Sequence, residues 1–160
     1  MVPVVHVDDV TWTDPTCPVA RTLDLVGDRW SLLIIRDAMD NARSFTDFQH
    51  RTGVARNILT DRLRRLVEHG ILTRETAASG RRQIYVLTDV GRDLFTVIVA
   101  MRQWGERHTF ADEEARSVLV DENGRPLAEL RPTDSHGHRI DIDTTTVRRP
   151  TRTGRRSRSN

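Results

Sequence analysis

Helix, helix, short helix, turn, arginine-rich helix, strand, tip, strand, long helix: this order of patterns predicts a mainly α (α+β) fold, a winged helix-turn-helix. Three observations carry the expectation. Apolar residues recur at helical spacing in successive segments before residue 70. Two short β-prone runs, residues 71–76 and 83–87, flank a turn that ends in two arginines. A last helix, residues 88–108, carries more apolar side chains than one buried stripe uses.

Each element follows from its own residues. Residues 1–16 read as an extended arm rich in Val, Thr, Asp and Pro. "CPVARTLDLVG" opens the first helix, with Pro18 at its first position and Cys17 just outside it. Val19, Leu23 and Val26 recur at i, i+4 and i+7, and Gly27 closes the run. "DRWSLLIIRDAMD" is a second helix, capped by Asp28, with Trp30, Leu33 and Ile34 at helical spacing. "SFTDFQHRTG" pairs Ser44 with Asp47 three residues on, a variant of the capping box, and its short helix stops near Gly53. "ARNILTDRLRRLVEHG" follows that turn and stops at Gly70. The strands "ILTRET" and "QIYVL" are joined by "AASGRR", and Thr88 caps the long helix "TDVGRDLFTVIVAMRQWGERH". Beyond it, "SVLVDENGRPLAEL" reads as a hairpin turning at Asn123-Gly124, and "RIDIDTTTV" alternates like a further strand. No internal repeat is seen. The expected organisation is an N-terminal arm (1–16), a winged helix-turn-helix DNA-binding and dimerisation domain (17–110), a small β-hairpin-like C-terminal extension (111–147) and a basic disordered tail (148–160).

Charge is distributed unevenly. All 25 basic residues are Arg, a pattern that coding bias explains better than function does. Residues 148–160 hold six Arg and no acid, and the other 19 Arg face 23 acids, a net of −4. Within that acidic body, residues 43–82 carry nine Arg against four acids. Two basic zones on an acidic background suit a polyanionic partner. The single cysteine, Cys17, excludes an internal disulfide and fits a reducing compartment. With no long apolar run and no basic-then-apolar leader, the expectation is a cytoplasmic protein that does not engage a membrane.

The arginine-rich segment is the candidate reader. Leu59, Leu63 and Leu66 form one apolar stripe, and Asn57, Thr60, Asp61 and Arg64 form the opposite one. Side chains of this kind read base edges in a major groove: Arg64 suits guanine O6 and N7, and Asn57 suits adenine. Asp61 accepts from cytosine or pairs with Arg64 or Arg65 along the helix. Arg56, at the helix start, is placed for phosphate, and Arg81 and Arg82 at the wing tip reach backbone or minor groove. Four arginines on one helix are by themselves more often a solvated face. The short helix, the Gly53 turn and the arginine-tipped hairpin reverse that balance in favour of DNA.

These residues also carry a family resemblance. "CPVARTLDLVGDRWSLLIIRDAM", "SFTDFQHRTGVARNILTDRLRRLVEHGILTRE" and "IYVLTDVGRDL", spanning Cys17 to about Trp104, closely resemble the HxlR-type winged-helix transcriptional regulators of bacteria. The resemblance implies a homodimer built on the N- and C-terminal helices that binds a palindromic operator as repressor or activator. It implies that residues 55–68 are the recognition helix and 77–83 the wing, though the prolines usual near that wing tip are missing. The family pattern gives no account of residues 112–160. Some HxlR-type regulators sense electrophiles or oxidants through a cysteine at the position of Cys17, and a helix N-terminus stabilises a thiolate. Packing of a small residue is the plainer role.

The remaining constellations are weaker. Leu94, Phe95, Ile98, Met101 and Trp104 on the long helix exceed what one small domain buries, and are expected at a dimer interface. Trp30, Phe95 and Trp104 are candidates for lining a small-ligand pocket at the dimer interface, although aromatic residues at helical spacing usually pack in a core. His136 and His138 in "DSHGHRID" read as a turn rather than a metal site. No phosphate loop, nucleophile elbow or His-Glu helix pair is present, so neither catalysis nor a cofactor is expected. The leading function is a dimeric, sequence-specific DNA-binding regulator, a repressor first, with an oxidant or small molecule as candidate effector. The alternatives are a non-specific nucleic-acid coating protein and a winged-helix module that assembles proteins. A base-reading stripe argues against the first, since coating needs only cations.

Overall fold

The computed structural model describes residues 10–150. The first nine residues of the expected arm and residues 151–160 of the expected tail lie outside the described residues. The elements are α1 (Pro18–Val26), α2 (Arg29–Met39), α3 (Phe45–Thr52), α4 (Arg56–Glu68), β1 (Leu72–Thr76), β2 (Gln83–Leu87), α5 (Asp89–Asp93) and α6 (Phe95–His108). β1 and β2 form an antiparallel hairpin in register from Leu72 opposite Leu87 to Thr76 opposite Gln83. This is the winged helix-turn-helix that the order of patterns predicts.

Local chemistry sets the helix boundaries. The Sγ of Cys17 accepts from the Ala20 N–H at 3.5 Å, with Pro18 in the first turn, where its missing N–H costs nothing. Asp28 accepts from the backbone N–H groups of Trp30 and Ser31 at 3.0 Å each. Ser44 and Asp47 complete a reciprocal capping box: Ser44 Oγ accepts from the Asp47 N–H at 3.1 Å, and Asp47 Oδ2 accepts from the Ser44 N–H at 2.9 Å. The N–H groups of Ser44 and then Arg43, with the Ser44 hydroxyl, hold the Asp47 carboxyl below its usual value. That cap is therefore complete above the ordinary Asp range and is lost only as pH falls through the lowered value. Gly53 ends α3 at φ +66°, a left-handed conformation that costs glycine least. Val54, buried next to it, pins the turn before α4.

Ile34 and Ile35 of α2, Phe48 of α3, Leu59, Leu63 and Leu66 of α4, and Ile71, Leu72 and Leu87 around the hairpin make one core. The wing joins it through the Tyr85 N–H, which donates to the Arg43 carbonyl at 2.8 Å. Thr88 fastens the opposite end. Its hydroxyl donates to the Gly70 carbonyl at 2.6 Å and accepts from the Gly91 N–H at 3.1 Å. Gly91 is pressed so close to this turn that a Cβ there would lie 2.2 Å from the Ile71 carbonyl oxygen and 2.9 Å from Leu87 Cδ2. Gly91→Ala is accordingly expected to lower stability by about 1–3 kcal/mol, because the obstacle is backbone and cannot rotate away. Thermal unfolding followed by circular dichroism checks this, and an unchanged midpoint would mean that α5 does not seat as described.

Two expectations need correction. The long helix is not continuous from Thr88: α5 ends at Asp93, and Leu94, with φ −69° and ψ −6°, separates it from α6. Leu94 donates back to the Gly91 carbonyl, a tighter link than a helical turn, and this sets α6 off from the segment anchored by Gly91. The C-terminal extension turns at Asn123-Gly124 as expected, but a single bridge, Val120 to Pro126, closes it, and "RIDIDTTTV" forms no strand. Alternation alone makes no sheet without a partner edge, and Arg139 finds only Thr133.

The extension does contain a repeat at the level of its turns. Asp121 Oδ1 accepts from the N–H groups of Asn123 and Arg125, and Asp134 Oδ1 accepts from those of His136 and His138. Both turns place a glycine at positive φ, Gly124 at +76° and Gly137 at +83°. The extension docks on α6. Arg102 donates to the Ser117 carbonyl and hydroxyl, Gln103 donates to the Ala128 carbonyl at 2.9 Å, and Gln103 Oε1 accepts from the Leu130 N–H at 2.7 Å.

Candidate nucleic-acid interface

α4 presents the two stripes that its sequence predicts. Leu59, Leu63 and Leu66 are buried, whereas Arg56, Asn57, Thr60, Arg64 and Arg65 are exposed and Asp61 is half-buried. Helical periodicity alone forces this arrangement once the leucines seat in the core. Ala55 at the N-cap offers no side-chain hydrogen bond, so the first N–H groups of α4 stay open beside an exposed stripe. Such a helix start is polarised to receive an anion.

The arginines of this helix do different things. Arg62 turns away: its side chain is 23% exposed, with Nε 3.0 Å from Asp28 Oδ1, and so ties α4 to the start of α2. Arg64, 54% exposed, bridges Asp61 at 2.7 Å and Glu68 at 2.6 Å. Arg65 Nε lies 3.1 Å from Asp61 Oδ2. The hydrogen bond from Arg64, then the charges of Arg65, Arg64 and Arg62, hold the Asp61 carboxyl below its usual value. Arg56 stacks over the Phe45 ring at 4.7 Å, and Thr60 Oγ1 donates to the Arg56 carbonyl at 2.9 Å. Asn57 alone of the outward stripe makes no side-chain hydrogen bond among the described residues. His69, which closes α4, is shifted down by burial, stays mostly neutral at pH 7 and adds little to the positive face.

Arg81 and Arg82 are exposed at the wing tip, where the Ala77 N–H donates to the Arg82 carbonyl at 2.7 Å and Gly80 adopts φ +71°. A glycine turn thus shapes this tip without proline. Cys17, partly buried at the α1 N-cap, is where its sequence places it.

The residues expected at a dimer interface divide. Leu94 and Ile98 pack against the chain's own core, whereas Phe95, Met101 and Trp104 stay exposed at 46%, 50% and 58%. Val97 joins Met101 and Trp104 in a stripe at i, i+4 and i+7, and on α1 Val19 and Leu23 are exposed as well. These three valine and leucine positions were legible as apolar periodicity, but which apolar residues the core leaves uncovered depends on packing. Within the single chain the three aromatic residues lie apart: Trp30 packs on the core, Phe95 lines a cleft beside β2, and the Trp104 ring lies tilted against His108 at 5.2 Å. In the extension, His138 Nδ1 faces Asp134 Oδ2 at 3.2 Å. No helix among the described residues is long and apolar enough to cross a membrane.

Comparison with known proteins places this geometry. Residues 25–113 match the HxlR-like helix-turn-helix family model. A helix-turn-helix-type transcriptional regulator from Mycobacterium bovis is 45% identical over 91 residues, 56% of this chain and 58% of the relative. The match therefore spans less than two thirds of that relative's length. The crystal structure of PA1607, a candidate transcription factor, superposes with a TM-score of 0.81 at 46% identity, covering 86% of this chain and 97% of that one. That coverage exceeds residues 25–113, so the likeness reaches beyond the family segment. The redox regulator HypR in its oxidized form has a TM-score of 0.54 at 31% identity, covering 59% of this chain and all of that one. The mycobacterial relative is described as a transcriptional regulator and PA1607 as a transcription factor, neither as an enzyme.

Proposed function

The chain belongs to the HxlR-like helix-turn-helix family, and from that premise we propose that it is a homodimeric, sequence-specific DNA-binding regulator acting as a repressor. The observation that carries the proposal is the polar stripe of exposed Asn57, Thr60 and Arg64 with half-buried Asp61, opposite the buried leucines of α4. Arg56 and Arg65 contact phosphate beside it, and Arg81 and Arg82 do so from the wing. In a dimer, two such helices enter successive major grooves about 34 Å apart, so the operator is an inverted repeat. Selection from random duplexes tests this. Recovery of an inverted repeat supports the reading, whereas binding that depends on salt but not on sequence would favour a coating protein, and no binding at low salt would favour a protein-interaction module.

The exposed stripe of Val97, Met101 and Trp104, together with Val19 and Leu23, supports dimerisation on α6 and α1. A water-exposed apolar face of this kind is stabilised by covering it with a second copy. Light scattering is expected to show a dimer at micromolar concentration, and Met101→Glu/Trp104→Glu a monomer with intact helix content. A monomeric wild type would remove the basis for paired half-sites.

Cys17 is proposed as the sensing residue, supported by its N-cap position and by the likeness to a redox regulator. Being the only cysteine, it can form only an adduct or a bond to another molecule. In reducing buffer Cys17→Ser is expected to leave operator affinity nearly unchanged. On treatment with diamide, the wild type should release DNA and the variant should not. Equal responses would return Cys17 to packing.

A further inference from the structure

Between the end of α2, the α2–α3 loop, β2 and the α5–α6 junction lies a cleft of about 390 Å³. Met39, Leu87 and Phe95 supply apolar wall, Arg43 and Arg92 supply charge, and no acidic side chain lines it. Both arginines are exposed, and neither forms an ion pair among the described residues, in contrast to Arg51 with Asp40 or Arg64 with Glu68. Phe95, nearly half exposed, belongs to this wall rather than to the core. Tyr85 also lines the cleft, half-buried, with its ring edge-on to Phe48 at 6.2 Å.

We propose that this cleft is a binding site for a small aromatic carboxylate. The two guanidiniums take the carboxylate, Phe95 and Met39 take the ring, and the Tyr85 hydroxyl supplies a hydrogen bond. The size suits one small organic molecule, and pockets of this kind pair an apolar wall with a few polar anchors. An inorganic anion would use the arginines and leave the wall wet. A neutral aromatic would cover the wall and strip water from the guanidiniums without supplying a counter-charge. Only an anion with a flat apolar body uses both. An occupant would touch the loop before α3, the wing strand and the start of α6 together, so a difference in its affinity between free and DNA-bound states would couple to DNA binding. The binding step itself stands apart from any activity on DNA.

The chain contains one tyrosine, so 3-fluorotyrosine labelling places a single fluorine resonance in the cleft. Titration with benzoate, salicylate and cinnamate on the full chain is expected to move that resonance saturably for at least one of them. Benzamide and inorganic phosphate, each carrying half of the recognised chemistry, should not. Arg43→Gln/Arg92→Gln is expected to weaken binding roughly ten- to hundredfold, and Arg92→Gln alone to weaken it less, with the melting temperature unchanged. Absence of a saturable shift with all three carboxylates would overturn the proposal. So would equal binding of benzamide by the wild type, or undiminished binding by Arg92→Gln and the double variant.

Discussion

Phe48→Ala is expected to cost about 3–5 kcal/mol of folding stability. Phe48 is fully buried where α3 meets the wing, with its ring in edge contact with Tyr85 and its helix held by the Ser44–Asp47 box. Removing the ring empties a space bordered by α2, α4 and β2, which the surrounding backbone can close only in part. The loss is a large fraction of what a domain of this size has to spare. Because α3 and the Gly53 turn hold α4 in place, DNA affinity should fall with stability and recover on cooling. Phe48→Leu keeps most of the volume and should cost clearly less. Urea unfolding followed by circular dichroism measures both, and a Phe48→Ala loss under about 1 kcal/mol would contradict the packing of α3 described above.

The second large effect separates the two basic zones. Arg64→Ala is expected to weaken operator binding by about 1–3 kcal/mol and to relax preference at one base pair of each half-site. Part of that figure is offset in advance: in the free protein Arg64 is already held by Asp61 and Glu68 and must exchange these partners for a base. Glu68→Gln should therefore tighten operator binding, and random DNA along with it. Truncation after Val147 removes the six arginines from Arg148 onward. If all of them meet phosphate, the slope of log affinity against log salt flattens by roughly 5 per chain, and by about twice that for a dimer, equally for operator and random duplex. Specificity, the ratio of the two affinities, should survive truncation and fall with Arg64→Ala. Loss of the ratio on truncation would make the tail the reader and move recognition away from α4.

The fold and the polar stripe of α4 were legible because each is written in local chemistry. Cys17-Pro18, Asp28, Ser44 with Asp47, Gly53 and Thr88 mark helix boundaries through hydrogen bonds to near neighbours, and all five act where the sequence places them. The leucine spacing of α4 determines its buried face, and its polar face follows by geometry. Interactions between residues distant in sequence were not legible. Periodicity sets Arg62 beside the leucine stripe and Arg64 opposite it, but only the fold brings Asp28 within reach of Arg62. The alternation of "RIDIDTTTV" predicts a strand, but a strand needs an edge, and the extension spends its polar groups on two Asp-Gly turns and on Arg102 and Gln103 of α6. The break at Leu94 follows three residues after Gly91 seats against the Ile71 carbonyl, a close approach that periodicity cannot register. Phe95 shows the same limit, since its apolar character is plain in the sequence but only packing turns it toward the cleft beside β2. By itself the sequence determined the order of the elements from α1 to β2, the caps of α1, α2, α3 and α5, and the two faces of α4, because these rest on contacts within a few residues. Tertiary structure alone decided which arginines are free, which apolar residues stay uncovered and where the cleft lies, because burial and ion pairing are set by whichever distant segments the fold brings into contact.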